Sequence, residues 1–200
     1  MAIVYKNCIP TTGNYAYECD PCSDGEKGRV SGIVLFDKSI KDELTPENLA
    51  LLSWWESQLA NEMVKIIPGV RGTYDGGTHT TVTGFGRLAE KVTGKEHVLV
   101  WNDKNHTLNE PFYSYLEANL KNYIPGWMTE NELRVANSTL IKFEAKDPVE
   151  EDIDSIVVWQ ATATWRQNNP AIPKIIDLSD HDDVKELFDN CVESVDDPEP

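Results

Sequence analysis

Three glycine-bearing breaks lie close together in the middle of the chain and limit what it can fold into. Pro68-Gly69 is followed by Asp75-Gly76-Gly77 and then by Thr93-Gly94-Lys95. The last two are short and glycine-rich, as hairpin turns are, and the segments around them suit strands. We therefore expect an antiparallel meander between residues 70 and 101.

Further strands are predicted on either side of this meander. Gly32 precedes the continuous apolar run Ile33–Phe36, which is typical of a buried strand. Strands are also expected over 132–144 and 153–165. In the last, alternation places one set of residues on a single face: Val157, Trp159, Ala161, Ala163 and Trp165.

Two helices are predicted within this β-rich part. Thr45-Pro46-Glu47 supplies an N-cap, a proline at the first helical position and an early acid. The apolar spacing then predicts a long helix over about 46–67, ended by Pro68-Gly69. Leu51 and Trp54 lie off its apolar stripe and indicate a second contact surface. A shorter helix is expected near 110–123, ended by Pro125-Gly126.

The last 24 residues have a different composition. They hold ten acids and one base, and so account for −9 of the formal net charge of −16. Apolar residues nevertheless recur at helical spacing, which predicts an amphipathic helix that docks on the core or on a neighbouring subunit. That stripe is formed by Val184, Leu187, Phe188, Cys191, Val192 and Val195.

These patterns divide the chain into three parts. Residues 1–28 read as an irregular N-terminal arm, 29–176 as a β-rich core and 177–200 as an acidic C-terminal helix or tail. The predicted class is α+β. We expect mainly an antiparallel β-sandwich or barrel, flanked by the long helix, the short helix and the C-terminal amphipathic helix.

Charge and composition exclude several functions. A formal charge of −16 argues against a broad grip on nucleic acid or on an anionic membrane. A hydrophobic content of 40% excludes a wholly disordered acidic chain. No run of 18 apolar residues and no secretory signal is visible, so we expect synthesis in the cytosol and no membrane partner.

The cysteines form the best candidate metal site. Cys19 and Cys22 have the two-residue spacing of zinc knuckles, and Cys8 is a candidate third ligand. A fourth ligand would come from Cys191 or from a histidine elsewhere in the chain. Zinc is thus the one cofactor this cluster suggests; a disulfide, or plain thiols in a loop, are the alternatives.

Catalytic motifs are not found in the sequence. No nucleophile stands in a glycine-flanked elbow, and Thr93-Gly94-Lys95 lacks the upstream glycine of a phosphate loop. We expect no enzymatic activity. The alternative is a small cytosolic enzyme or ligand-binding domain with His79 or His106 as acid or base and an aromatic-lined pocket formed by Trp101, Tyr113, Trp159 and Trp165.

The order of elements resembles the tube-forming and ring-forming tail proteins of tailed bacteriophages. The resemblance covers about residues 29–176 and includes the phrases Tyr74-Asp75-Gly76-Gly77, Thr83-Gly84-Phe85-Gly86 and Trp165-Arg166-Gln167-Asn168-Asn169-Pro170. The cysteine-bearing arm is also similar to virion proteins of phages of Bacteroidetes hosts, including the crAss-like group. The arm and the acidic helix depart from a minimal tube subunit, which brings in a head-to-tail connector, tail terminator or accessory ring protein.

The resemblance implies a structural component of the virion, assembled in the host cytoplasm. Its partners would be further copies of itself, other virion proteins, and DNA that passes through without specific binding, repelled by an acidic lumen. The expected contacts between subunits use the N-terminal arm, the C-terminal helix and six apolar residues: Leu51, Trp54, Val184, Leu187, Phe188 and Val192.

Overall fold

The computed structural model of the protein describes residues 28–84, 89–104, 106–138, 141–148, 157–167 and 173–189. Ten strands and four α-helices lie in these ranges. The strands are β1 Gly32–Asp37, β2 Val64–Ile67, β3 Arg71–Tyr74, β4 Thr78–Val82, β5 Lys91–Asp103, β6 Tyr123–Met128, β7 Glu132–Val135, β8 Ile141–Lys146, β9 Trp159–Gln167 and β10 Lys174–Asp177. The helices are α1 Pro46–Leu49, α2 Leu52–Ala60, α3 His106–Asn119 and α4 Asp182–Asp189, and short 3-10 helices cover Lys38–Glu43 and Leu120–Asn122.

The strands form two antiparallel sheets, as the α+β prediction required. The first sheet has the order β10-β7-β6-β1-β2. The second has the order β3-β5-β9-β8, and β4 pairs with β5 beyond the end of β3. The described strands do not close into a barrel, so the barrel alternative of the prediction is wrong.

The first sheet is centred on β1, which is buried over Ile33–Phe36 as predicted. It pairs with β2 on one side and with β6 on the other. Gly126 of β6 lies where a Cβ atom would come within 2.8 Å of Val34 Cγ1 and 3.0 Å of the Arg134 carbonyl oxygen. A glycine there leaves room for side-chain and backbone atoms of the two neighbouring strands, β1 and β7. Pro125-Gly126 is therefore part of a buried strand, and the prediction that it ends a helix is wrong.

The second sheet is built around the 13-residue strand β5. Its inward-facing residues include Leu99 and Trp101, which pair with Ala163 and Ala161 of β9. The predicted apolar face of β9 is confirmed for Ala161, Ala163 and Trp165, which are all buried. Trp159 is partly buried, and Val157 lies before the strand and is 41% exposed, so the prediction is wrong there.

Thr93-Gly94-Lys95 lies within β5, so the turn predicted there is wrong. The pairing of Gly94 with Thr80 on β4 keeps it in the strand. The hairpin predicted at Asp75-Gly76-Gly77 is wrong as well, because β3 and β4 both pair with β5, one after the other, and not with each other.

The long helix predicted over 46–67 is also wrong. It begins as expected, since Thr45 Oγ1 accepts a hydrogen bond from the Asn48 amide (3.3 Å). The helix is broken after Leu49, resumes at Leu52 and ends at Ala60. Glu62 then adopts a positive φ of 57°, and Val64–Ile67 pairs with β1 as a strand. Branched residues that fit helical spacing fit a buried strand equally well.

The C-terminal part of the described chain lies on the body of the same molecule. β10 pairs with β7, and α4 contacts α2, β1 and β2. The second predicted helix is present as α3, four residues earlier than expected, and is followed by a 3-10 turn. Among the described residues, no helix has both the length and the hydropathy needed to cross a bilayer.

Candidate functional site

The predicted metal and interface residues fall into separate places. Cys8, Cys19 and Cys22 lie outside the described residues, as do Cys191 and Val192. Within the described part of the chain, no group of three His, Cys, Asp or Glu side chains could hold a metal ion. The zinc prediction therefore stays a prediction.

The apolar interface residues divide by exposure. Leu51 is 52% exposed, as a contact residue should be. Trp54 is partly buried, lies edge-on to Trp55 with ring centroids 5.5 Å apart, and donates a hydrogen bond from Nε1 to Glu43 (3.3 Å).

The three described residues of the C-terminal stripe pack on their own molecule. Val184 and Phe188 are buried, and Leu187 is partly buried against the same core. Phe188 lies edge-on to Trp55 with ring centroids 5.6 Å apart. In this conformation Val184 and Phe188 present no surface to a neighbouring subunit, because they lie on the side of α4 that faces its own core.

The aromatic residues of the predicted pocket belong to the core. Trp101 and Tyr113 are fully buried and Trp165 is 2% exposed. Trp159 stacks on Tyr113 with centroids 5.2 Å apart, whereas Trp165 stacks on His97. Trp101, Tyr113 and Trp159 form one group, in which Trp101 also packs on Phe143 of β8. Trp165 belongs to a separate group with His97 and Trp127.

A buried polar cluster lies where β5 meets α3. Asp103 is 2% exposed, and its Oδ2 accepts hydrogen bonds from Asn109 Nδ2 (2.7 Å) and the Tyr113 hydroxyl (3.1 Å). Trp101 Nε1 donates to the same hydroxyl (3.3 Å). Burial, and then the neighbouring Asp103 carboxylate, raise the pKa of Tyr113 well above its ordinary value. Asp103 and Asn109 border a cleft of about 290 Å³ whose other walls are apolar.

A second buried polar group, His97, was not predicted as a site in its own right. Its Nδ1 lies 2.7 Å from the Tyr74 hydroxyl, and its ring stacks on Trp165 at 5.3 Å. Burial lowers the pKa of His97 and raises that of Tyr74 to about 12. His97 Nε2 and Trp165 Nε1 are buried without a hydrogen-bond partner among the described residues. The burial of His97 comes from packing between distant strands, which its local sequence does not indicate.

The structure describes the side chain of one of the two predicted acid or base histidines. His79 is exposed on β4 and belongs to neither cluster, so it is no general base next to a buried carboxylate. His106 is the first residue of α3, and its side chain lies outside what the structure describes. The arrangement therefore gives no catalytic group among the described residues a defined role.

The feature that sequence patterns missed most clearly is a two-stranded ribbon. We use that name for β4 with residues 91–94 of β5, which pair with β4 alone among the described residues, since the described pairing of β9 with β5 begins at Lys95. Each face of the ribbon carries an exposed apolar side chain. Val82 on one face is 55% exposed and Val92 on the other is 50% exposed. Arg166 ties the base of the ribbon to the body by donating from Nη2 to Thr80 and Thr93 hydroxyls (3.0 Å each).

The ribbon adjoins a basic cleft. This cleft has a volume of about 960 Å³ and a lining with four basic side chains and one acid: Lys38, Lys121, Lys142, Arg166 and Glu96. Such a concentration of positive charge stands out in a chain of net charge −16. The bases come from four separate segments, so no local pattern in the sequence reveals them.

Comparison of the chain with protein-family models, curated proteins and solved structures finds no match. Function must therefore be argued from the residues themselves.

Proposed function

We propose that the protein is a virion structural protein of a tailed bacteriophage that forms homo-oligomeric rings or a tube, through which DNA passes. It would work in the tail or head-to-tail region, with other virion proteins as neighbours, and without enzymatic activity. One observation of the structure carries the proposal: the ribbon. The element order behind the resemblance is kept only in part, because neither the long helix over 46–67 nor the turn at Thr93-Gly94-Lys95 forms.

The ribbon supports assembly because it exposes two valines and, among the described strands, an unpaired strand edge. An isolated two-stranded hairpin is marginally stable in water. Here both faces are solvent-exposed over most of β4, and each face presents a half-exposed valine, Val82 or Val92. The edge of β4 opposite β5 has no strand paired to it in the described structure. Contact with another subunit would bury these valines and complete the edge.

We propose that the two sheets face each other as a β-sandwich. A sandwich with one packed core gives a rigid subunit, which suits repeated assembly. Trp127 of the first sheet lies 4.5 Å from Tyr74 and 5.9 Å from Trp165 of the second, measured between ring centroids. Alternate inward residues of both sheets form one core, which is the arrangement of sandwiches. Such a core holds the ribbon and the surfaces around it in a fixed relation.

Sedimentation velocity and negative-stain imaging of the full chain test the assembly. The expected result is rings or tubes at micromolar concentration. The double variant Val82→Asp with Val92→Asp should weaken assembly at least tenfold, because burying either carboxylate is unfavourable. Leu108→Asp is the control, since Leu108 is 82% exposed but lies on α3, away from the ribbon. A wild-type chain that stays monomeric at high micromolar concentration would refute the proposal.

The alternative, a small ligand-binding domain or enzyme, has one observation in its favour. The Asp103 carboxylate borders the 290 Å³ cleft beside Ile67, Phe112 and the exposed Leu108. A carboxylate in an apolar cleft suits a cationic or hydrogen-bond-donating ligand. A thermal-shift screen with small amines tests this, and Leu108→Trp, which fills the cleft mouth, should abolish any shift that arises there.

A further inference from the structure

The basic cleft combines a concave shape with a net positive lining, in a chain whose formal charge is −16. Its four bases and one acid give the lining a formal charge of +3. Lys38, Lys121 and Lys142 make no ion pair with any residue in the described ranges, and Lys121 and Lys142 are exposed. Three like charges gathered in a cleft repel one another, so a matching anionic surface would be attracted there.

The surface with the opposite charge is formed by α4 and the turn before β7. We call it the acidic pole: Glu130, Asp182, Glu186 and Asp189 together with Lys185, a formal charge of −3. Lys185 is already paired with Asp182 at 2.6 Å. Glu186 and Asp189 are exposed on the outer side of the helix. The acidic pole is thus equal and opposite in charge to the basic cleft.

The acidic pole is held rigidly on its own body. Phe188 is 1% exposed and its carbonyl accepts a hydrogen bond from the Gly69 amide (3.2 Å). A Cβ atom on Gly32 would come within 2.8 Å of the Phe188 ring, which shows how closely α4 lies on β1. The helix therefore cannot leave this position without exposing a buried aromatic side chain.

The two surfaces lie at opposite ends of the first sheet. The acidic pole adjoins Ser31 and Met128, where β1 begins and β6 ends. The basic cleft includes Lys38 and Asn122, just after β1 and just before β6. Because β1 and β6 pair over their full length, five residue steps, or about 17 Å, separate these ends. A fixed α4 cannot reach the cleft of its own molecule.

We propose that the acidic pole of one copy docks into the basic cleft of a second copy, so that the subunits join head to tail. This rests on the proposed function and deepens it by naming the contact. A head-to-tail contact uses two different patches, and its repetition gives a ring if the rotation closes and a filament if it does not. Arg166 lies in the cleft and also holds the base of the ribbon, so both candidate surfaces form one continuous face.

Charge reversal of the full chain tests this contact. Lys121→Glu with Lys142→Glu reverses the cleft, and Glu186→Lys with Asp189→Lys reverses the acidic pole. All four side chains are exposed, so folding should be retained, as circular dichroism melts would verify. Each double variant should assemble at least tenfold more weakly than the wild type by sedimentation velocity. Assembly of the wild type should also weaken as NaCl rises from about 0.05 to 0.5 M.

Mixing the two variants provides the decisive measurement. Each variant alone has like charges on both surfaces, but an equimolar mixture restores an attractive pair at every contact if the copies alternate. Assembly should therefore return in the mixture alone. The control is Lys104→Glu with Lys146→Glu, which makes the same change in net charge at exposed lysines outside the cleft. It should assemble as the wild type does.

Four results would overturn the contact. If the wild type assembles and both reversed variants match the control, the contact is wrong while ring formation stands. If each variant fails to assemble and the mixture also fails, docking between these two surfaces is wrong. If a labelled oligonucleotide binds the wild type and is lost on cleft reversal while assembly is unchanged, the cleft is a nucleic-acid site. A wild type that never assembles refutes the proposed function and the contact together.

Discussion

Removing the Phe188 side chain should release α4 from the body. The ring is 1% exposed and lies between Trp55 and Gly32. Truncation of a buried phenylalanine to alanine costs about 3–5 kcal/mol. A helix of eight residues is too short to persist without its docking contacts. Phe188→Ala should therefore lower the free energy of local opening of α4 by about 3 kcal/mol or more.

Amide hydrogen exchange measures this opening directly. A loss of about 3 kcal/mol corresponds to roughly a hundredfold faster exchange, since each 1.4 kcal/mol is a factor of ten. The protected amides to follow are those of Val184 and Lys185, whose hydrogen bonds go to the His181 carbonyl. Glu186→Ala is the matched control, because Glu186 is exposed on the same helix and should leave exchange nearly unchanged.

The concentration dependence separates docking within the molecule from docking on a neighbour. In the structure Phe188 packs on its own chain, so α4 should already be protected at concentrations where the wild type is monomeric, and the comparison of variants is made there. Protection that appears only at high concentration, or that survives Phe188→Ala, would refute the argument that this ring holds the helix.

Three further predictions concern the buried polar groups. Gly77→Ala should destabilise the fold more than Gly76→Ala in urea titrations. Both glycines have positive φ, but only at Gly77 would a Cβ approach the His97 ring, at 2.5 Å, while nothing lies within 4 Å at Gly76. Burial lowers the pKa of His97, so its stabilising effect is present above the ordinary histidine pKa of about 6.5 and is lost as pH falls below it. From pH 7.5 to about 5.5 we expect a loss of stability that is absent in His97→Gln, measured as unfolding midpoints. Tyr113→Phe should cost about 1–3 kcal/mol, since it removes a donor to Asp103 and the acceptor of Trp101 Nε1; an unchanged urea midpoint would contradict this.

Elements with strong local signals were predictable from the sequence. The apolar run Ile33–Phe36 is β1, and alternation over 159–165 correctly assigns the buried face of β9. The helical spacing of Val184 and Phe188 correctly predicts which face of α4 is buried. In each case the residues that decide the element are neighbours in sequence.

Elements decided by distant partners were not predictable. Ile66 and Ile67 extend a helical stripe, yet they pair with β1 about thirty residues earlier. Gly126 reads as a helix stop, but its lack of a side chain is required by Val34 on the neighbouring strand. Local spacing carries no information about which strand will lie beside a segment.

The candidate surfaces also differ in whether neighbouring or distant residues in the sequence decide them. Leu51 and Trp54 were both predicted as a contact surface because they lie off a helical stripe; Leu51 is exposed, at the break between α1 and α2, whereas Trp54 is partly buried. The four basic residues of the cleft are far apart in sequence, and only the folded structure brings them together: Lys38, Lys121, Lys142 and Arg166. Likewise the ribbon depends on where β9 stops pairing with β5, which no local pattern shows.

The long strand β5 has a consequence for the order in which the chain folds. Its hairpin with β3 and β4 joins segments within about thirty residues of each other, so it can form early during synthesis. Its other edge can pair only after β9 has been made, since Trp101 pairs with Ala161, sixty residues later. Until β9 has been synthesised, Leu99 and Trp101 lie on an open strand edge, the state most exposed to aggregation. Expression yield should therefore fall most for chains truncated before β9.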